Sequence, residues 1–137
     1  MLIIKPIEQK EEQKLLCEQA GVPFRKAAMA YAARVDGVVV GICQFTMNDT
    51  TGTLLDLAKM PGTDDEEAMF IMARQTLNFI DLCGVHSAEY LPPKAGETDE
   101  HLLRWIGFTM REGKWQMDLT GFFEEPCKHT QTPSDRS

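Results

Sequence analysis

The sequence predicts an α/β domain built on a mixed sheet of about seven strands with helices on its faces. Three observations carry this. Residues 27–35 alternate in polarity, Asp36-Gly37 supplies a two-residue turn, and residues 38–45 return as a strand. Residues 54–84 form a short apolar strand, a tight loop and one long helix. Residues 85–91 are again β-prone. A strand, a crossover helix and a strand imply a parallel pair with a right-handed connection.

The elements follow in order. Residues 2–7 are short and β-prone, and Pro6 suits an edge or a strand end. Residues 8–20 are rich in helix formers, and Gly21 and Pro23 stop them. Leu15, Leu16 and Ala20 make a thin apolar stripe, so this helix is expected on the outside of the sheet. In the hairpin, Met29, Tyr31, Ala33 and Val35 share one face. Residues 48–52 form a second turn, and residues 53–59 return antiparallel.

The long helix carries Ala68, Met69, Met72, Ala73, Leu77, Ile80 and Cys83 at helical spacing. Thr63 followed by Glu66 predicts a capping box, and Gly84 stands where a left-handed residue ends a helix. Pro92-Pro93 ends the next strand, and residues 94–97 form a loop. Thr98 or Asp99 caps a short helix to Ile106, with Leu102, Leu103 and Ile106 as its apolar side and Gly107 as its stop. Residues 108–111 and 114–119 predict a final hairpin, with Trp115, Met117 and Leu119 on one face. The expected organisation is one domain over residues 1–123 and a polar, disordered tail over 124–137.

Composition narrows the function classes. The 137 residues suit one domain with a sizeable core. A net charge of −7 argues against nucleic acid and anionic membrane surfaces, which want clustered Lys and Arg. No apolar run approaches the ~20 residues that span a bilayer. The first residues lack the long apolar core of a signal peptide, so the cytoplasm is the expected location. Cys17, Cys43, Cys83 and Cys127 are widely spaced, and His86, His101 and His129 make no ligand spacing with them, so no metal site is expected.

Several segments, in this order, resemble the GNAT acetyltransferase superfamily. Residues 35–41, VDGVVVG, look like the hairpin between its second and third strands. Leu57-Ala58-Lys59-Met60-Pro61 looks like the end of its fourth strand, commonly L-A-V-x-P. The helix that follows has the family's length and ends at a Gly. Gly107-Phe108 looks like the G-F that opens its sixth strand. The resemblance covers roughly residues 1–120.

The resemblance implies a mostly antiparallel sheet whose fourth and fifth strands run parallel and splay apart. It implies acetyl-CoA, or another acyl-CoA, as cofactor. The pantetheine arm would lie along Leu57, Ala58 and Lys59, and the pyrophosphate on the loop that opens the next helix. It also implies direct attack by a primary amine on the thioester, a carboxylate or water chain to take the amine's proton, and a Tyr to protonate the thiolate. A homodimer would be in keeping with the family.

The loop departs from the family's R/Q-x-x-G-x-G/A. Its Arg-Gly-x-Gly falls near Asp64, Asp65, Glu66 and Glu67, and the next Gly or Ala near Met69. A carboxylate ~8 Å from a phosphate in water costs about 0.5 kcal/mol per pair. Acidic residues in a first turn also serve the helix dipole in any protein. Backbone N–H groups of Gly62 and Thr63, with Lys59 nearby, are the remaining phosphate ligands. The family's Tyr falls at Leu103, so Tyr90 is the substitute. Asp56 and Glu89, in the apolar settings LLDLA and SAEYL, are the candidate general bases, because burial raises a carboxylate pKa. Trp105 and Trp115 are expected in the core or at its rim, and Met60, Met69 and Met72 along the cleft wall.

Two functions follow from these readings. One is an acyl-CoA-dependent N-acyltransferase acting on a small amine. The other is a catalytically inactive GNAT-like module that binds a ligand or partner.

Overall fold

The computed structural model describes residues 1–91 and 99–123. The expectations for residues 92–98 and for the tail from 124 onward lie outside the described residues.

The chain runs β1 (Leu2–Pro6), α1 (Lys10–Ala20), β2 (Met29–Val35), β3 (Val38–Met47), β4 (Gly52–Lys59), α2 (Glu66–Leu82), β5 (Ser87–Tyr90), α3 (Glu100–Ile106), β6 (Thr109–Arg111) and β7 (Lys114–Asp118). One seven-stranded sheet has the order β1-β2-β3-β4-β5-β7-β6. Every pairing is antiparallel except β4 with β5, which is parallel. The β2–β3 turn has Asp36 at φ 51 and Gly37 at φ 85, both left-handed, as a primed turn requires.

Helices cover both faces. On one face α2 and α3 pack over the larger core, which includes Phe45, Leu54, Leu77, Ile80, Leu103 and Trp115. On the other, Leu16 and Cys17 of α1 pack with Ala32, Ile42 and Met60 in a smaller cluster. None of the described helices is long and apolar enough to cross a membrane.

Three local expectations are corrected. The inward stripe of α1 is Gln13, Leu16 and Cys17, while Leu15 is exposed. A buried Gln at this position escapes a pattern search for apolar residues. The capping box does not form. Asp65 is the N-cap of α2 and accepts from the Ala68 N–H at 3.0 Å. The Thr63 hydroxyl turns away and donates to the carbonyls of Met60 (2.7 Å) and Val40 (3.2 Å). Finally, Met60 belongs to the cluster under α1 and Met72 to the main core, so of the three methionines only Met69 reaches the cleft.

Candidate active site

The site begins with a change of register. Between β3 and β4 the pairing steps from Gln44↔Asp56 to Phe45↔Leu54, leaving Leu55 as an extra residue on β4. A bulge of this kind bends its strand and increases the local twist. The parallel pairing with β5 runs only through Gly52↔Ala88, Thr53↔Glu89 and Leu54↔Tyr90. The last link is the Leu91 N–H to the Leu54 carbonyl at 3.0 Å. Beyond it, β4 keeps β3 on one side, and none of the described strands pairs with its other edge.

A cavity of about 270 Å³ opens along that edge, under α2 and α3. Leu57, Met69, Leu102 and Leu103 form its apolar wall, and Tyr90 closes one side. Asp64, Asp65, Glu66 and Asp99 stand around it. Lys59 is the only cation on its lining among the described residues, and its Nζ lies 3.0 Å from Asp64. Two of the carboxylates are fixed by helix capping, Asp65 on Ala68 and Asp99 on the Leu102 N–H at 3.0 Å. The Thr63 hydroxyl leaves the Glu66 N–H uncapped, and neither it nor the Glu67 N–H has an acceptor among the described residues.

Tyr90 is 6% exposed, and its hydroxyl makes no hydrogen bond with any described residue. Burial, with the charges of Cys43 and Asp56 as smaller causes, pushes its pKa up to about 12. The ring lies 6.4 Å from that of Phe108.

Asp56 and Glu89 lie on the opposite face of the sheet from this cavity. Ala88 and Tyr90 point into the main core, so Glu89 between them points to the α1 side. It is half-buried there, and its carboxylate has no partner among the described residues. Asp56 is buried, and both of its short hydrogen bonds converge on Oδ2. It accepts from Arg25 Nε at 2.7 Å and from Gln44 Nε2 at 2.7 Å. Gln44 also donates to the Pro23 carbonyl at 2.9 Å, and its Oε1 accepts from Gln13 Nε2 (2.9 Å) and the Arg25 N–H (3.1 Å). This network ties the α1–β2 connection to β3 and β4.

The structure therefore brings Leu57, Lys59 and Tyr90 together. It turns the Ala58 side chain to the α1 side and leaves Gly62 and Thr63 in the turn after β4, where the Thr63 N–H donates to the Met60 carbonyl at 3.1 Å. Trp115 is core, and Trp105 is a rim residue stacked on Phe70 at 4.1 Å. Sequence reasoning missed Asp99 on the cavity and the Gln13–Gln44–Arg25 network. Gln44 inside the apolar run VVVGICQF, facing Asp56 across the hairpin register, was the available signal.

No protein-family model matches the sequence, and no curated protein does. Solved structures do match. The IAA acetyltransferase from Bacillus cereus superposes with a TM-score of 0.70 at 14% identity, covering 87% of this chain and 100% of that one. The chain has the GNAT fold. The PaiA N-acetyltransferase from Thermoplasma acidophilum, solved in complex with coenzyme A, gives 0.69 at 11% identity over 86% of this chain and 99% of that one. The ribosomal-protein-S18-alanine N-acetyltransferase from Escherichia coli gives 0.69 at 10% identity over 87% and 94%. The GNAT fold accounts for the single parallel pair and for the cleft where it ends.

Proposed function

We propose that this protein is an acyl-CoA-dependent N-acyltransferase that transfers an acyl group, acetyl in the simplest case, to the amine of a small molecule. The observation that supports this best is the edge of β4 beyond Leu54, which no described strand pairs, facing a cavity walled by Tyr90. An extended, amide-bearing arm adds to such an edge as a strand would, through backbone hydrogen bonds.

The residues present fit the arm. The backbone of Leu57, Ala58 and Lys59 would hold its amides, and Met69 and Leu102 would line its methylene groups. At the outer end, the donors open to a phosphate are Gly62, the N–H groups of Glu66 and Glu67, which have no acceptor among the described residues, and the Lys59 ammonium, which already faces Asp64. When bound, acyl-CoA supplies a thioester carbonyl open to an amine. The C–N bond would form as the C–S bond breaks, the amine's proton passing to a base and the departing thiolate taking its proton from solvent.

The chain's own groups have distinct tasks in this reading. Glu89, whose carboxylate has no partner among the described residues, would take the amine's proton if the amine approaches from the α1 side and meets the thioester where the β4–β5 pairing ends. Tyr90 keeps its proton at neutral pH and offers it as a hydrogen bond in the cavity. Full transfer from a phenol at about 12 to a thiolate of ordinary pKa near 8.5 is uphill. Asp56 works as an anchor for Arg25, because its Oδ2 is already occupied by the guanidinium and by the Gln44 amide.

The test is release of free thiol from acetyl-CoA with a panel of small amines, beside the Glu89→Gln variant. Turnover that the variant loses supports the reading. A protein that binds acetyl-CoA but acetylates nothing favours the second reading, a catalytically inactive GNAT-like module. That alternative draws its support from the carboxylates around the cavity.

A further inference from the structure

The charge of the cavity is opposite to what a phosphate-rich cofactor asks for. Asp64, Asp65, Glu66 and Asp99 stand around it, and Lys59 already faces Asp64. Asp65 and Asp99 cannot swing away without uncapping α2 and α3. His101 lies 4.0 Å from Glu66 and adds positive charge only when protonated. The inner part of the same cavity is different in kind. It is apolar, it runs along a strand edge that no described strand pairs, and it is lined by Tyr90, which is 6% exposed and whose hydroxyl has no hydrogen-bond partner among the described residues. A buried hydroxyl without a partner is unfavourable, and it points to a polar ligand atom in the cavity.

Together these features select for an arm and against its phosphates. We propose that the cavity takes a pantetheine-type acyl thioester carrying few or no phosphates in preference to one carrying the full 3′-phospho-ADP. This rests on the acyltransferase reading of the same cleft and names the class of its donor. The amides pair with β4, a polar atom of the arm meets Tyr90, and the outer end meets carboxylates. Each phosphate added to that end then lowers affinity instead of raising it, and dilute salt makes the penalty larger because the exposed charges are less screened.

The experiment is a calorimetric titration of the full chain with pantetheine, 4′-phosphopantetheine and coenzyme A, each at low and at high salt. The expected order is pantetheine at least as tight as coenzyme A, with coenzyme A binding more tightly as salt rises. The Asp64→Asn, Glu66→Gln double variant spares both capping residues. It should improve coenzyme A about tenfold and leave pantetheine within about twofold. Coenzyme A binding tenfold tighter than pantetheine in the unaltered protein, with affinity falling as salt rises, overturns the inference and leaves the acyl-CoA reading standing. Failure of all three to bind at millimolar concentration overturns both.

Discussion

Arg25 Nε donates to the buried carboxylate of Asp56 at 2.7 Å, joining the connection after α1 to the strand that borders the cleft. The Asp56 side chain is wholly shielded from water, whereas that of Arg25 is 34% exposed. The pair is therefore unequal. Removing the arginine leaves a buried charge with one amide partner, while removing the aspartate leaves a cation that can reach water.

Arg25→Met should accordingly destabilise the fold by about 1–3 kcal/mol, below the full penalty for an unpaired buried charge because water reaches the site from the arginine side. Asp56→Leu, an apolar residue of similar size, should cost less than Arg25→Met despite removing the same ion pair. Urea unfolding of the two variants checks the order. The reverse order would mean that Asp56 is worth more to the fold than its partners, Gln44 included.

Glu89 gives the complementary prediction. Its carboxylate has no partner to lose among the described residues, so Glu89→Gln should change stability by no more than about 0.5 kcal/mol. If it takes the amine's proton, turnover should fall by about a hundredfold or more. Asp56→Asn, which can keep a hydrogen bond with Gln44, should lose less turnover than Glu89→Gln. Equal loss in both, with both proteins folded, would return Asp56 to the role of base.

Much of this architecture is legible in the sequence because it is local. The turn at Asp36-Gly37, the helical spacing of Ala68, Met72 and Leu77, and Gly107 at the end of α3 are each read within a few residues. The cleft itself is not local. Its bulge at Leu55 depends on how β4 meets β3. The Thr63 hydroxyl is drawn to Val40, 23 residues away, instead of capping the helix. Asp56 meets Arg25 across 31 residues, so an aspartate in an apolar strand reads as a catalytic candidate until its partner is seen. The acidic residues at the start of α2 are plain in the sequence, but their arrangement around one cavity with Asp99 is not.

Stability should fall at alkaline pH. Burial is the main cause that raises the Cys43 thiol from 9 to about 12 and Tyr90 from 10 to about 12. Both folded values lie above the unfolded ones. The unfolded chain therefore releases these protons first, and the stability they contribute is present below pH 9 and lost as pH rises toward 12. Each group adds a slope of about 1.4 kcal/mol per pH unit once its unfolded form is ionised. Thermal unfolding across pH 7–11 should show a decline from about pH 9. Cys43→Ala should flatten its first part and Tyr90→Phe the part above pH 10. An unchanged profile in both variants would remove these two groups as its cause.

Gly41 gives a prediction that links packing to the cleft. A Cβ placed there would lie 2.4 Å from the sulfur of Met69 and 3.3 Å from the Ala58 carbonyl oxygen. The carbonyl is backbone beside an established strand pair, so Met69 must move. Met69 is also a wall of the cavity. Gly41→Ala should therefore cost about 1–3 kcal/mol of stability by overpacking, and it should weaken pantetheine binding as the displaced side chain narrows the cavity. The two effects have one origin and should be relieved together. Met69→Ala in the Gly41→Ala background should recover both, giving a coupling of more than about 0.5 kcal/mol in a double-mutant cycle read by urea unfolding and by titration. Additive effects would mean that the Gly41 position is controlled by the Ala58 backbone and that the cavity wall plays no part in it.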